Sequence, residues 1–284
     1  MLPETARQLL LLLFSGLFGL AVGSFLNVVS LRLPRGESIV RPASHCPGCG
    51  RPIAWFDNLP VLSYLLLRGR CRHCRMRISP QYPAVELLTG LLFLAAAAVR
   101  GQDILLVRDM VFVSLMILTA VVDLRFWIVL DEVSLGGAAA GLAFSLLPGG
   151  VGILRSLLTS ASALALFLLI RLVASLVLAR RPGYTKTPEG LDHDTDGEGF
   201  QGGMGWGDVK LAACMGAFLG PERTAVALFA AFLTGALTGV ALIVLAGRDK
   251  RVPVPFGPFL ALGSVFSLFL GDAVWRAYTG IGAW

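Results

Sequence analysis

Apolar blocks follow one another along most of this chain, separated by shorter polar stretches. Most have lengths near the roughly 17–25 residues that a helix needs to cross a bilayer. The pattern predicts an all-α membrane protein, a polytopic bundle of about eight transmembrane helices. The eight blocks are residues 9–29, 82–99, 104–122, 127–147, 152–179, 209–220, 224–246 and 254–271.

Two of these blocks fit a spanning helix less well than the others. Residues 209–220 are few and rich in glycine, and the apolar stretch can continue past Pro221. Residues 127–147 carry Asp131 and Glu132 near their start. The number eight is therefore approximate.

Composition agrees with an integral membrane protein that has little soluble mass. The 284 residues are 56% hydrophobic and 15% charged, whereas about 25% of a typical soluble domain is charged. The first block is too long for the apolar core of a signal peptide, and no clear small-x-small cleavage site follows it. We therefore expect a retained first helix.

Arginines indicate the side of the membrane on which the polar loops lie. Cytoplasmic loops carry an excess of Lys and Arg, and residues 32–81 contain many arginines against only Glu37 and Asp57. The net charge of +6 then reflects topology and lipid contact, and no nucleic-acid partner is expected. With eight spans, three further loops fall on the same side, near residues 123–127, 180–208 and 247–253.

Three parts of the chain follow from this pattern. Residues 1–31 are expected to form the first transmembrane helix. Residues 32–81 should form a small cytoplasmic loop domain. Residues 82–284 should form the main transmembrane domain, with a second cytoplasmic loop near 180–208.

Four of the five cysteines form two closely spaced pairs in the first loop. Cys46 and Cys49 make one pair, Cys71 and Cys74 the other, and each pair encloses two residues. Two such knuckles are typical of tetrahedral zinc with four sulfur ligands. A disulfide is disfavoured because thiols stay reduced in the cytoplasm. Four thiolates leave no open coordination position, so the zinc should be structural and should hold a short loop together.

Other interpretations of this loop stay open from the residues alone. Redox chemistry or an iron–sulfur centre also uses paired cysteines. His45 and His73 are adjacent to the pairs, and either could replace a cysteine ligand. Cys214 lies alone in an apolar block and is expected to be a small core residue.

Acidic residues near the ends of the apolar blocks are the candidates for chemistry, because an ionisable group in a membrane is costly and usually functional. On the expected topology, Asp123 and Asp208 both lie at the cytoplasmic face. Two carboxylates at one depth can share a proton and activate a water molecule between them. Capping of a helix or contact with headgroups is the alternative for any one acid. The remaining candidates are Glu86, Asp103, Asp109, Asp131, Glu132 and Asp272.

The setting of Asp208 strengthens its candidacy. Gly205 and Gly207 precede it in the stretch GMGWGDVKL at 203–211. Glycines give backbone freedom without side-chain bulk, so a helix or an extended peptide can approach the carboxylate closely. A phosphate-binding loop is a poor alternative, because no strand precedes the glycines and the dinucleotide-binding spacing is absent.

Several long motifs in order resemble the bacterial type IV prepilin peptidases, bifunctional leader peptidase/N-methyltransferases of the GxGD membrane aspartic proteases. The resemblance extends from about Gly23 to Leu262. One departure is Leu130, which precedes Asp131 where the family commonly has proline. The motifs are GSFLNVVSLRLPRG at 23–36, the cysteine loop HCPGCGRPIAWFDNLPVLSYLLLRGRCRHC at 45–74, ISPQYPAVELLTG at 78–90, DLRFWIVLD at 123–131, GMGWGDVKL at 203–211 and PFGPFLALG at 255–263.

This resemblance implies both roles and partners. Asp123 and Asp208 match the catalytic pair of the family, with Gly205 and Gly207 completing the GxGD motif. The family's zinc ligands are matched by Cys46, Cys49, Cys71 and Cys74. The implied substrates are prepilins or pseudopilins of type IV pili or type II secretion, cut at the cytoplasmic face of the bacterial inner membrane.

A second implied activity is methylation of the new amino terminus with S-adenosylmethionine as methyl donor. No residue is assigned to it from the sequence. Asn27 is one polar residue that could serve this step, although such an asparagine more often bonds between helices.

Competing functions carry their own expectations. Another GxGD intramembrane protease would not need zinc knuckles in its first loop. A proton-coupled transporter would more often show paired repeats of broken helices with acids at the bilayer midplane. The segment 181–202 opens like a calcium loop at Asp192, but Gly203 stands where a bidentate glutamate belongs, so a solvated acidic loop is favoured over calcium binding.

Overall fold

The structure, a computed structural model, describes residues 3–178, 204–246 and 254–280. Helices dominate these residues, and the only extended pairings among them are two isolated β-bridges in the first loop. The eight α-helices of the described residues are α1 (Glu4–Arg32), α2 (Leu62–Leu66), α3 (Gln81–Arg100), α4 (Leu105–Phe126), α5 (Asp131–Phe144), α6 (Ile153–Leu178), α7 (Trp206–Ala246) and α8 (Gly257–Thr279). Short 3₁₀ turns occupy Leu33–Arg35 and Trp55–Asn58.

Six helices of the described part are long and apolar enough to cross a membrane: α1, α3, α4, α6, α7 and α8. This confirms an all-α, multi-pass membrane protein. The candidate calcium loop and the segment 181–202 lie outside the described residues.

The approximate count of eight spans is explained by two features of the helices. The blocks 209–220 and 224–246 are both parts of α7, whose backbone breaks at Gly220, with φ 73° and ψ 177°, just before Pro221. Helix α5 has 14 residues, which is about 21 Å of helix against a hydrocarbon core of about 30 Å. If α7 is counted as two segments and the short α2 is left out, eight helical segments of the described residues correspond to the eight blocks. Six helices reach spanning length.

Two compact units divide the chain, Met1–Val121 and Val122–Trp284. In the first unit, α1 packs on α3 through small residues. A Cβ atom added to Gly19 would lie 2.8 Å from the Cα of Gly90, and one added to Gly23 would lie 2.7 Å from the Cα of Glu86. Such close approach lets two helices associate in lipid, where apolar burial alone gives little driving force.

In the second unit, α7 is the central helix and packs against α5, α6 and α8. Small residues again bring backbones together, since a Cβ on Gly216 would lie 2.8 Å from the Cα of Ser160. The Ser160 hydroxyl donates to the carbonyl of Ala213 at 2.8 Å, and the Ser156 hydroxyl donates to that of Ala217 at 2.7 Å. These bonds fix α6 to the first half of α7, the half that begins beside Asp208.

Candidate active site and metal centre

Asp123 lies near the C-terminal end of α4, with a side chain that is almost fully buried. Its Oδ2 accepts a hydrogen bond of 2.8 Å from the backbone N–H of Gly257, the first residue of α8. The N–H groups of the first helical turn have no partner within the helix and carry partial positive charge. This hydrogen bond from the first turn of α8 therefore anchors the carboxylate in a favourable electrostatic environment.

The anchor depends on the absence of a side chain at position 257. A Cβ atom there would lie 2.6 Å from Asp123 Oδ2, which no real structure tolerates without movement. Sequence reasoning did not single out Gly257. The signal was its place in PFGPFLALG, where a glycine followed by a proline marks a helix start.

Asp208 lies in the first turn of α7 and is also buried. Its carboxylate accepts a hydrogen bond from the backbone of Gly205 and interacts electrostatically with Asp123. The structure therefore brings two acids from separate sequence motifs into one buried site. Neither has a cationic partner among the described residues.

The two glycines before Asp208 have different roles. The added Cβ of Gly205 would meet only the Asp208 carboxylate at 3.7 Å and the Gly207 nitrogen at 3.9 Å, so space is open beside the acid. A Cβ on Gly207 would instead lie 2.5 Å from the Cβ of Val129. The expectation that glycines leave room beside the acid therefore fits Gly205, whereas Gly207 permits packing against the segment that follows Asp123.

An ion pair joins the two aspartate motifs. Lys210 Nζ lies 2.7 and 2.8 Å from the two carboxylate oxygens of Asp131. Lys210 follows Asp208 by two residues, and Asp131 begins α5 at the end of the motif that starts with Asp123. The sequence contained both residues within the motifs but gave no indication that they pair.

Arg171 of α6 holds the residues that lead into α7. Its Nη1 donates to the carbonyl of Met204 at 2.5 Å, and its guanidinium carbon lies 4.6 Å from the centroid of the Trp206 ring. An arginine over an indole face is a favourable cation–π arrangement. The residues just before Asp208 are thus held by α6, and Lys210 just after it is paired with α5.

Four of the other candidate acids, Glu86, Asp103, Asp109 and Asp272, have structural partners, as the alternative of capping or pairing anticipated. Asp103 Oδ1 accepts from the backbone N–H of Leu105 and so caps the start of α4. Ion pairs involve Asp109 with Arg100 and Arg108, and Asp272 with Arg223. Glu86 Oε2 accepts a hydrogen bond of 2.7 Å from the backbone N–H of Val61.

The four paired cysteines meet in the first loop. Their sulfur atoms all lie within 4.8 Å of one another, and the sulfurs of Cys46 and Cys74 are 3.7 Å apart. Four thiolates at about 2.3 Å from a tetrahedral zinc ion would be about 3.8 Å from one another. The cluster therefore fits a metal ion of this coordination.

Two similar turns present these sulfurs. In the first, the Gly50 N–H donates to the Cys46 carbonyl, and in the second, the Arg75 N–H donates to the Cys71 carbonyl. Both Gly50 and Arg75 have positive φ, 69° and 61°. The two knuckles thus have the same backbone path, with a glycine at the left-handed position of one and a strained arginine in the other.

Neither histidine of the loop joins the sulfur cluster. His73 Nδ1 lies 3.1 Å from Arg51 Nη1, and His45 Nδ1 lies 3.3 Å from the Ala43 carbonyl. Four cysteines without histidine remain the ligand set.

The thiols of the cluster influence one another's protonation. Backbone N–H groups of Cys74 and His73 donate to Cys71, and with neighbouring thiols they lower its pKa to about 6. At Cys74 the N–H of Met76 lowers the pKa, but burial and hydrogen bonds with the other three thiols outweigh it and raise the pKa to about 11. Thiolates rather than thiols are the ligands of a metal ion, so metal binding at this cluster would release thiol protons.

Asn27 and Cys214 both have contacts that fit a structural role. The Asn27 side-chain amide donates to the Tyr82 carbonyl at 3.1 Å and so bonds α1 to α3. Cys214 is fully buried in α7, as expected of a small core residue.

Comparisons with known proteins match two parts of the chain to family models. Residues 17–99 match the family model described as the bacterial peptidase A24 N-terminal domain. Residues 110–240 match the model described as the type IV leader peptidase family. The two matched regions contain the cysteine cluster and the two buried acids, respectively. No solved structure matches.

Curated relatives extend the match along most of the chain. Three named prepilin leader peptidase/N-methyltransferase come from Myxococcus xanthus (39% identity, covering 83% of this chain and 64% of the relative), Bacillus subtilis (34%, covering 92% and 95%) and Aeromonas hydrophila (33%, covering 98% of both). This chain therefore spans somewhat less than two thirds of the Myxococcus protein and nearly all of the other two. The protein belongs to the type IV leader peptidase family.

Proposed function

We propose that this protein removes the leader peptide from prepilins or pseudopilins and then N-methylates the new amino-terminal residue, with Asp123 and Asp208 as its catalytic pair. The names of its relatives support both activities. The observation that carries the residue assignment is the convergence of two buried acids from separate motifs in one site without a cationic partner among the described residues.

Peptide hydrolysis at this site needs only water and the two carboxyl groups. One carboxylate takes a proton from water as the oxygen attacks the scissile carbonyl carbon, while the protonated carboxyl gives its proton to the carbonyl oxygen. The resulting diol then loses a hydroxyl proton to the second carboxylate, the carbon–nitrogen bond breaks, and the first carboxyl protonates the leaving amine. The pair ends as it began, with one proton shared by two acids.

Three groups of contacts position the pair for this chemistry. The Gly257 N–H fixes the orientation of the Asp123 carboxylate. The Lys210–Asp131 ion pair joins the motif of Asp208 to that of Asp123. Arg171 holds the residues immediately before Asp208. Such preorganisation matters because small displacements of a catalytic group reduce rate strongly.

The open space beside Gly205 supports access for a peptide. A prepilin carries a short basic leader before an apolar helix, so the helix can lie among the spans while the leader reaches the polar surface. We infer that this surface is the cytoplasmic face of the bacterial inner membrane, because the basic residues of 32–81 favour that side. In this division, residues 32–81 form the metal-binding loop domain and 82–284 the peptidase domain.

Zinc is the metal that best suits the cysteine cluster. Cys46, Cys49, Cys71 and Cys74 would fill all four positions of a tetrahedral ion, so the zinc would stabilise the loop and take no part in cleavage. Residues between α1 and α3 have little apolar core of their own, and a structural metal replaces that missing stabilisation.

S-adenosylmethionine is the proposed donor for the second activity. Its methyl group would pass to the new amino-terminal nitrogen, which loses a proton, and S-adenosylhomocysteine would leave. We assign no residues to this step, and the bond from Asn27 to Tyr82 favours a structural role for that asparagine.

A single incubation tests these activities together. Purified protein is mixed with a prepilin-type substrate, with or without S-adenosylmethionine, and the products are weighed by mass spectrometry. We expect cleavage after the leader in both cases and one added methyl group only with the donor. An intact substrate would contradict the peptidase assignment, and cleavage without methylation would remove the second activity alone.

A further inference from the structure

An apolar stretch of the first loop has the opposite arrangement to that of a soluble surface. Residues 55–66, here called the apolar segment, comprise the 3₁₀ turn Trp55–Asn58, its connection and α2. The side chains of Trp55, Leu65 and Leu66 are 77%, 64% and 73% exposed. Phe56, Leu59 and Leu62 are exposed as well.

Ser63 of the same segment points inward, whereas Asp57 pairs with Arg72. Ser63 is buried, and its hydroxyl donates to the Phe56 carbonyl at 2.8 Å and accepts from the Leu59 N–H at 3.0 Å. Polar atoms inside and leucines outside are unfavourable in water, because apolar surface is driven out of contact with it. The arrangement is favourable where the surroundings are lipid.

Hydrogen bonds connect the segment to residues of α1 and α3 that lie inside these helices, away from the helix ends nearest the loop. Its Val61 N–H donates to Glu86, and the Glu86 carboxylate also accepts a hydrogen bond from Ser24 of α1. At 1.5 Å per residue, Ser24 lies about 12 Å along α1 before its last residue, Arg32. On α3, Glu86 likewise lies more than one turn inside the helix, which begins at Gln81.

A cleft of about 380 Å³ also lies between the segment and α1. Its lining extends along α1 from Ala21 to Arg32 and includes Asn58 and Pro60 of the segment, with further residues from 39–44. The segment therefore runs beside a part of α1 that belongs to the candidate membrane span.

Charged side chains follow the leucines directly. Arg68 and Arg70 are exposed and come two and four residues after Leu66. Apolar residues inserted at the level of the acyl chains, with arginines beside them at the level of the phosphates, are the pattern of interfacial anchors. Trp55 is also a residue type enriched at membrane interfaces.

We propose that the apolar segment inserts into the bilayer interface beside α1 and α3, with Leu62, Leu65, Leu66 and Trp55 in contact with lipid. Arg68 and Arg70 then contact anionic headgroups. In the sequence the two cysteine pairs flank the apolar segment, and α1 and α3 flank the cysteine pairs. The metal-binding loop is therefore attached to the membrane at three points: α1, the apolar segment and α3. This inference is independent of the catalytic assignment, since it concerns residues of the first unit alone.

Lipid contact at single positions tests the proposal. An environment-sensitive fluorescent amino acid is introduced by amber suppression at position 66, in the full chain, reconstituted in nanodiscs of phosphatidylethanolamine and phosphatidylglycerol. The matched control is position 37. Glu37 is exposed, and its N–H donates at 3.0 Å to the carbonyl of Arg32, the last residue of α1.

Nitroxide groups carried near the glycerol end of the acyl chains should quench position 66 severalfold more than position 37. Equal quenching at both positions would overturn the proposal. If position 66 is shielded only after a prepilin substrate is added, the segment is a peptide-docking surface and the proposal also fails. Retained metal content and substrate cleavage verify that each labelled protein is folded, and a label at Leu65 repeats the measurement at a second exposed position.

Discussion

Lys210 and Asp131 form a two-pronged ion pair that connects the two motifs carrying the buried acids. The Lys210 nitrogen lies 2.7 and 2.8 Å from the two oxygens of the Asp131 carboxylate. Close by, the backbone at Gly207 approaches Val129 so closely that no side chain fits between them. The motifs therefore contact each other through both charge and packing, independently of the acids themselves.

Removing one partner of this ion pair should reduce turnover without unfolding the protein. We expect Lys210→Met to lower kcat by about tenfold, equivalent to about 1.4 kcal/mol in the barrier. Stability should change by at most about 1 kcal/mol, because both side chains are partly exposed. Steady-state kinetics with a prepilin substrate and a thermal melt measure the two effects.

A double-mutant cycle separates positioning from general loss of charge. Asp131→Asn should cost about as much as Lys210→Met, and the double variant should cost no more than either, since both remove one interaction. Lys210→Arg should retain most of the activity. Additive losses, or a change in KM with kcat intact, would exclude the positioning role.

Adding a methyl group at Gly257 should disturb Asp123 directly. The new Cβ would lie 2.6 Å from the carboxylate oxygen, so Gly257→Ala must displace Asp123 or the start of α8. We expect at least a tenfold loss of cleavage. Gly239→Ala is the control, because nothing lies within 4 Å of a Cβ there. Equal activity of the two variants would show that the Asp123–Gly257 bond is dispensable.

Arg171 should matter for cleavage more than another arginine of the same helix. Arg171→Leu removes both the bond to the Met204 carbonyl and the contact with Trp206. Arg155→Leu removes only an exposed pair with Glu222. We expect the first variant to lose activity severalfold and the second to retain it, with initial rates of cleavage as the measurement. Comparable rates would argue against a role for Arg171.

Loss of a cysteine ligand should release the metal. Cys46→Ser should reduce bound zinc, measured by elemental analysis of the purified protein, and should make the loop more sensitive to protease. Cys214→Ala should retain zinc, because Cys214 lies in α7 and outside the cluster. Absence of zinc from the unmodified protein would contradict the identity of the metal.

Local chemistry in the sequence was sufficient to predict much of the candidate site. The spacing of Cys46, Cys49, Cys71 and Cys74 predicted a metal cluster because two tight turns can place four sulfurs around one ion. The resemblance singled out Asp123 and Asp208, and the structure places both in one site. The assignment of roles to these residues stays a prediction.

Other features depended on long-range packing that no local pattern reveals. The bond from Gly257 to Asp123 joins residues in different motifs, as does the pair of Lys210 with Asp131. Residues 209–220 and 224–246 meet at Gly220, where a positive φ and an extended ψ interrupt the helical backbone, a conformation that glycine adopts at little cost. The depth of residues 55–66 follows from the bond between Val61 and Glu86, which composition could not predict.

The most direct test of the central claim compares single replacements of the two buried acids. Asp123→Asn and Asp208→Asn keep size and most hydrogen bonds but cannot act as base and acid, so each should reduce prepilin cleavage by about 10²–10⁴-fold. The protein should remain folded, and Glu222→Gln, at an exposed acid of the same α7, should cleave normally. Normal cleavage by either Asp→Asn variant would contradict a catalytic pair formed by Asp123 and Asp208.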